Sequence, residues 1–468
     1  MDGEAIVMSI NEELKINDPC SFIESVKARI RPLYVFSFIL ITVLLFYFYN
    51  LQGKKYNGII SYFGEFALII VVVSILVILG IMGMKGKRRH YEKIMCIPLR
   101  IHINGIRGKS TVTRLIGAGL REGGYRTLTK TTGKAACLVL WDGDEIPVKR
   151  MGRPNIREQM RIVDFARRND VDALVIECMA IQPELQRVCE EKIIRSKIGV
   201  ITNIRRDHID VMGPTLIEVA KNICSTIPEN GIIVTAERDF LEEIKGEARK
   251  RNAKVIIAEP EKISDDVMNK FTYLNFKENV AMALAVCRLA GVDEETALMG
   301  MQKAEPDPGH VMIYCCNIPL SRDKRVHFVN AMGVNDKDST TIVYDELIRR
   351  GYFNGRGVIG FFHARDDRVT RTKEFGKAMV EDMEFKRIVI AGGSTKLFRR
   401  EAVRVGYAPE HIIDMGTADG GEVMDLLHKI ADLMEGEVVI FACGNMVGKI
   451  PEKMLSIAKG ICSEEKCL

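Results

Sequence analysis

The residues best suited to chemistry in this sequence are Gly105, Ile106, Arg107, Gly108, Lys109, Ser110 and Thr111. They follow the β-prone stretch Arg100-Ile101-His102-Ile103 and lead into a helical pattern from Val112. Strand, glycine turn and helix form the setting in which backbone N–H groups and a helix N-terminus converge on phosphate. In that setting Lys109 bridges the β- and γ-phosphates of a nucleotide, and the Ser110 hydroxyl reaches Mg²⁺. The usual loop carries a glycine five positions before its second one. Ile103 holds that place, so this loop is shorter than a standard one. A plain strand-to-helix turn explains Gly-Lys-Ser-Thr at a helix start poorly.

Three later segments add functional groups. Leu174-Val175-Ile176-Glu177 puts an acid at the carboxyl end of a buried strand, where open α/β sheets bind ligands. Thr202-Asn203-Ile204-Arg205-Arg206-Asp207-His208-Ile209-Asp210 follows the next such strand, and Asn279 leads the helical run 280–289. A lone glutamate at a strand end is more often a cap partner than a metal ligand. The weight lies in all four segments occurring in order.

The elements that must position these groups alternate short apolar runs with longer helical stretches. Strands are expected at 99–103, 173–176, 198–202, 232–235 and 255–257, and again at 326–329, 358–362, 388–391 and 438–442. Continuous apolar runs between helices indicate parallel sheets covered on both faces, hence an α/β fold. The proline-rich break Glu305-Pro306-Asp307-Pro308-Gly309 divides a P-loop domain (91–309) from a smaller α/β domain (310–468).

The ordered set GxxGKST, strand-end Glu, TNxxxDHxD and Asn-led helix resembles the Mur ligase superfamily, which includes folylpolyglutamate synthase. Ile106-Arg107-Gly108-Lys109-Ser110-Thr111-Val112-Thr113-Arg114-Leu115, Lys130-Thr131-Thr132-Gly133, the Gly152-Arg153-Pro154-Asn155-Ile156-Arg157-Glu158-Gln159 stretch and Ile176-Glu177-Cys178-Met179-Ala180 are similar to the ligase subunit of poly-γ-glutamate synthase, of the capsule-biosynthesis type. The resemblance implies a Mur-ligase-like central domain and a Rossmann-like C-terminal domain. It implies ATP and Mg²⁺ as cofactors, with Lys109 and the loop backbone on the phosphates. Ser110, Glu177 and His208 become metal ligands, Asn279 lies near the adenine, and Lys221 is the candidate for a carbamylated lysine. Arg365, Arg368 and Arg371 fall where the superfamily has an aspartate–arginine loop facing the acceptor; a solvated basic loop is the competing reading. The peptidoglycan ligases' HNxxN helix start is reduced here to Asn279, with Phe276 at the first position. Such departures argue against a peptidoglycan substrate.

The chemistry so implied is amide formation. A carboxylate is phosphorylated by ATP, and an amine then attacks the acyl phosphate, with glutamate and a growing γ-linked polymer as substrates. Alternatives are another amino-acid ligase of the Mur or folylpolyglutamate type, a membrane-tethered P-loop kinase or ATPase, and a non-catalytic assembly subunit.

Two apolar runs, 33–49 and 66–84, each give a helix of roughly 26–28 Å, close to a bilayer's hydrocarbon thickness. They predict a transmembrane hairpin over 33–90 behind a cytosolic segment 1–32. Lys27, Arg29 and Arg31 on one side and Lys85, Lys87, Arg88 and Arg89 on the other place both ends in the cytoplasm of a two-span cell-membrane protein. Two spans are too few for a pore, so integral membrane partner subunits of a synthase and export complex are expected. The 468 residues carry a net charge of only +5 and no basic stripe with interleaved aromatics, which gives no support to nucleic-acid binding. The 12 cysteines include no CxxC pair, which favours reduced thiols over a zinc site. Oligomerisation, glutamate stereochemistry and polymer length stay open.

Overall fold

The structure, a computed structural model, describes residues 59–132, 136–150, 152, 154–206, 209–271, 273–307, 310–317, 325–334, 336–461 and 463–464. Two sheets organise the chain. The first contains β1 (Leu99–Asn104), β2 (Thr127–Lys130), β3 (Cys137–Val139), β4 (Glu145–Pro147), β5 (Ala173–Glu177), β6 (Ile198–Ile201), β7 (Ile232–Thr235) and β8 (Lys254–Ile257). Its order is β4-β3-β2-β5-β1-β6-β7-β8. All pairings from β2 to β8 are parallel, and the β2-β3-β4 edge is antiparallel.

The second sheet contains β9 (Met312–Asn317), β10 (Arg325–Asn330), β11 (Gly357–Ala364), β12 (Arg387–Gly392), β13 (Ile412–Asp414), β14 (Val438–Gly444) and β15 (Ser463–Glu464). Its order is β13-β12-β11-β14-β10-β9-β15, parallel except for the edge formed by β9 and β15. The α/β class and the mostly parallel sheets agree with the sequence pattern. Every expected apolar run is a strand. The unforeseen strands are short, Thr-rich or at sheet edges, where burial on two apolar faces leaves no continuous signature.

The central strands are buried from end to end: β5 and β6 expose no residue, and in β1 only Leu99 is partly open. The register aligns Ile103 of β1 with Glu177 of β5 and with Val200 of β6. Three parallel carboxyl ends therefore lie side by side, and whatever follows each strand is delivered to one place.

The expected membrane hairpin is not supported. Among the described residues no helix is long and apolar enough to cross a membrane. The expected second span, 66–84, lies inside helix Ile59–Met95, which runs unbroken through Lys85, Lys87, Arg88 and Arg89. The basic cluster is thus part of the helix body, and the last turns dock on the first domain. Lys93 pairs with Asp164, His90 Nε2 lies 3.0 Å from the Ile193 carbonyl, and Ile94 is fully buried. The two-span cell-membrane localisation and the orientation drawn from flanking charges are withdrawn with it. The first expected span, 33–49, lies outside the described residues.

Candidate functional site

The phosphate loop is shaped by two glycines in left-handed backbone. Gly105 has φ +131, and a side chain there would strike the Thr202 hydroxyl. Gly108 has φ +78, and an added Cβ would sit 2.8 Å from Asn279 Oδ1. Other residues would be strained at both positions and would also collide. The loop is held from β6. Asn203 Oδ1 accepts from Arg107 N at 2.9 Å, while Thr202 Oγ1 and Asn203 Nδ2 donate to Arg107 O at 2.6 and 3.0 Å. Thr202 and Asn203 therefore preset the loop, a role their motif did not announce. Lys109 Nζ folds over the turn and donates to the carbonyls of Gly105 (2.7 Å) and Ile106 (3.1 Å).

Ser110 and Glu177, 67 positions apart in sequence, meet at the same corner. Ser110 Oγ donates to Glu177 Oε2 at 2.9 Å, and Thr132 N donates to that oxygen at 2.7 Å. Glu177 is buried at 3% exposure. A hydroxyl and a buried carboxylate in contact suit a hard divalent cation that keeps much of its water. Among the described residues no group of three or more His, Cys, Asp or Glu could hold a metal. His208 lies outside the described residues.

Behind this corner is a buried charge cluster that no sequence motif disclosed. Lys130, fully buried at the end of β2, places Nζ 2.8 Å from Glu158 Oε1. Arg150 clasps Glu158 through two bonds, at 2.7 and 2.9 Å. Burial opposes ionisation of Glu158, but Arg150 and Lys130 outweigh it and hold the carboxyl below its ordinary value. The next residue, Gln159, donates to the Glu177 carbonyl at 3.1 Å. Lys130 and Thr132 of the KTTG segment and Glu158 and Gln159 of the GRPNIREQ segment thus gather around the Ser110–Glu177 corner. The signal was their unusual residue content; their pairing is a tertiary matter.

Of the remaining expected residues, Asn279 and Thr111 lie at the phosphate loop, and the arginines lie in the second sheet's region. Asn279 is buried beside Gly108, with Nδ2 3.4 Å from Asn275 Oδ1. Thr111 occupies the first turn of helix Lys109–Glu122. Lys221 is exposed on helix Leu216–Cys224. Arg365 forms a two-bond pair with Asp367 at 2.7 and 2.8 Å, Arg368 lies 3.8 Å from the same carboxylate, and Arg371 donates to Asn445 Oδ1 at 2.6 Å. These arginines gather after β11 in the second sheet, and none lines the cavity at the phosphate loop.

Known proteins resemble the chain in sequence and in fold. PGA synthase CapB of Bacillus subtilis (strain 168) is 39% identical over 385 residues, covering 81% of this chain and 95% of that protein. The chain belongs to the CapB family. Residues 316–459 match the family model for the poly-gamma-glutamate synthase CapB C-terminal domain, and residues 103–305 match the Mur ligase middle domain. The capsule biosynthesis protein CapB of Bacillus anthracis is 38% identical over 85% of this chain and 83% of that protein. Among solved structures, Mycobacterium tuberculosis folylpolyglutamate synthase complexed with ADP superposes with a TM-score of 0.58 at 15% identity, over 82% of this chain and 98% of that one. The bifunctional folylpolyglutamate synthase/dihydrofolate synthase of Yersinia pestis, complexed with AMPPNP and Mn, gives 0.56 at 12%, over 80% and 92%. These likenesses establish a shared fold.

The CapB C-terminal match includes Asp336, which reaches back to the phosphate loop. Its Oδ2 accepts from Arg107 Nε at 2.6 Å, and its Oδ1 caps helix Lys337–Arg349 by accepting from Ser339 N. Asp336→Asn keeps a good capping group but removes the charge. Binding and turnover of ATP should weaken about three- to tenfold while thermal stability changes little, because a charge-assisted bond is lost and the cap is kept. Unchanged steady-state constants for ATP would show that this link between CapB sheets has no part in nucleotide handling.

Proposed function

We propose that the three parallel strand ends form the nucleotide and metal site of an ATP-dependent amide ligase that makes poly-γ-glutamate. The observation that carries this reading is the Ser110–Glu177 contact beside a glycine turn whose lysine lies over the loop. CapB-family membership and the Mur-type fold support the same chemistry.

The residues fit the implied ligands. Gly105 and Gly108 permit a tight turn that side chains would block by collision with Thr202 and Asn279, and a turn of that kind lets backbone N–H groups face phosphate oxygens. Lys109 exchanges its two carbonyl partners for the β- and γ-phosphates. Ser110 and Glu177 hold Mg²⁺, whose charge offsets that of the phosphates. His208 completes the metal set and Asn279 borders the adenine. A carbamylated Lys221 would act as a carboxylate toward a second Mg²⁺, the arginines at 365, 368 and 371 serve the acceptor side, and the chain divides into its two ligase domains near 305–309. The acceptor carboxylate attacks the γ-phosphorus, ADP departs, and the amine of glutamate displaces phosphate from the acyl phosphate. Such phosphoryl transfer asks the protein mainly for positioning and charge neutralisation. Partner subunits of a synthase belong to this reading.

Purified protein given ATP, Mg²⁺ and single amino acids should release orthophosphate in step with amide formed, and glutamate should be the preferred substrate. A stable product retaining the γ-phosphate would sink the ligase reading in favour of a kinase. Glu177→Ala should raise the Mg²⁺ concentration needed for half-maximal rate on the order of tenfold or more, since one of the three proposed protein ligands, and the anionic one, is lost. An unshifted Mg²⁺ titration would remove Glu177 from the metal site.

A further inference from the structure

A cavity of about 1250 Å³ opens at the phosphate loop and extends to helix Ile59–Met95. That exceeds the roughly 300–1,000 Å³ usual for one small ligand. Its lining includes Lys109 and Glu177 of the phosphate-loop corner and Gly83, Gly86 and Lys87 of the helix. Arg157 and Lys192 line it as well, together with the apolar side chains of Met160 and Leu185.

Three features bear on what occupies the part of the cavity beside the helix. Lys87 and Arg157 are exposed and make no ion pair with a described residue, while Lys192 has only a loose 3.7 Å contact with Glu191. Gly83 and Gly86 lie one helical turn apart, and a Cβ built on either meets nothing within 4 Å. The helix is fixed in place by His90 against the Ile193 carbonyl, the neighbour of Lys192, and by the Lys93–Asp164 pair. The cationic side chains thus stand on a firm wall around open space, continuous with the reacting centre.

A γ-linked glutamate chain keeps one free α-carboxylate on every residue. An acceptor whose terminal carboxyl lies at Lys109 must therefore place a row of negative charges along the cavity behind it. We infer that Lys87, Arg157 and Lys192, with the side-chain-free strip at Gly83 and Gly86, form a track that binds the α-carboxylates of the acceptor polymer. The inference rests on the proposed ligase reading, and it assigns to helix Ile59–Met95 a substrate-binding role. Cations on flexible stems suit carboxylates of variable spacing, and binding to several of them grows with acceptor length.

The test uses the full chain with short and long γ-linked glutamate oligomers as acceptors. Lys87→Glu, Arg157→Glu and Lys192→Glu should each raise KM for the long oligomer on the order of tenfold, as reversal of a charge in an electrostatically complementary site does. KM for ATP and kcat with the short oligomer should stay as in the wild type. Gly86→Trp should give the same length-selective loss by filling the strip. The charge-keeping variants Lys87→Arg and Arg157→Lys should retain wild-type KM, which separates a charge role from misfolding. Equal losses for short and long acceptors, or none, would overturn the track. Direct binding of fluorescently labelled poly-γ-glutamate without nucleotide keeps the two readings apart. Charge-sensitive polymer binding without amide formation would fail the ligase and spare the track. Amide formation with polymer affinity indifferent to all three reversals would do the opposite.

Discussion

Lys109→Ala is expected to lower ATP-dependent amide formation by a factor on the order of 10³ or more, the scale seen when a preorganised charge at a phosphoryl-transfer centre is lost. In the structure this lysine donates to the Gly105 and Ile106 carbonyls of the loop itself. It is only partly buried and anchors no core cluster. Removing it should cost little stability, and the thermal midpoint should shift by no more than about 2–4 °C for about 1 kcal/mol in a chain of this size. Arginine should not rescue the rate, because its planar fork is longer and cannot act as a compact point charge. A folded Lys109→Ala protein that keeps a tenth or more of wild-type turnover would remove this loop from the chemistry.

The second large effect falls on stability. Glu158→Ala should destabilise the first domain by about 3–5 kcal/mol, the usual result of stripping one partner from a buried ion pair. Lys130 is fully buried, and without Glu158 its ammonium keeps only Met179 Sδ at 3.8 Å among the bonds described for it. Arg150 loses its two-bond partner as well. Total stability of a domain is commonly about 5–15 kcal/mol, so the change is a large fraction of the whole. The single tryptophan, Trp141, stacks 6.5 Å from Phe165 in the same domain and reports its unfolding in urea by fluorescence. The sign with pH follows from the depressed carboxyl of Glu158. A lowered folded-state pKa contributes stability above the unfolded value, about 4.3, and loses it as pH falls through the folded value. The gap between wild type and variant should therefore be full at neutral pH and close in acid. Replacing both partners with apolar residues, as in Lys130→Met with Glu158→Leu, should recover much of the loss. A single variant within about 1 kcal/mol of wild type at neutral pH would mean the cluster is not a buried salt bridge in solution.

The same cluster marks where reading the chain reached its limit. Lys130 ends β2 (Thr127–Lys130), a strand with no apolar periodicity that is nevertheless entirely buried. A lysine there argues against burial until Glu158, from helix Arg157–Arg168, arrives to offset the charge. Pairing of residues so far apart leaves no periodic trace along the chain. The membrane hairpin failed for a related reason. An apolar run reports that a helix must be covered, and the charged turns that continue the same helix dock on protein at Ile94 and Asp164.

Local chemistry was legible from residue order alone: the turn Gly105–Gly108 with its lysine and serine, the α/β alternation, and an acid and an Asn-bearing segment after later strands. These are short-range properties, dictated by backbone freedom, apolar runs and helix starts. What the tertiary structure decided was convergence. The order β5-β1-β6 and the alignment of Ile103 with Glu177 bring Ser110 to that carboxylate and set Asn203 under the loop. It also decided the cavity that joins the loop to helix Ile59–Met95, and the arm from Asp336 to Arg107. Strand order and register are fixed by packing between residues far apart in the chain, so they exist only once the sheets have formed.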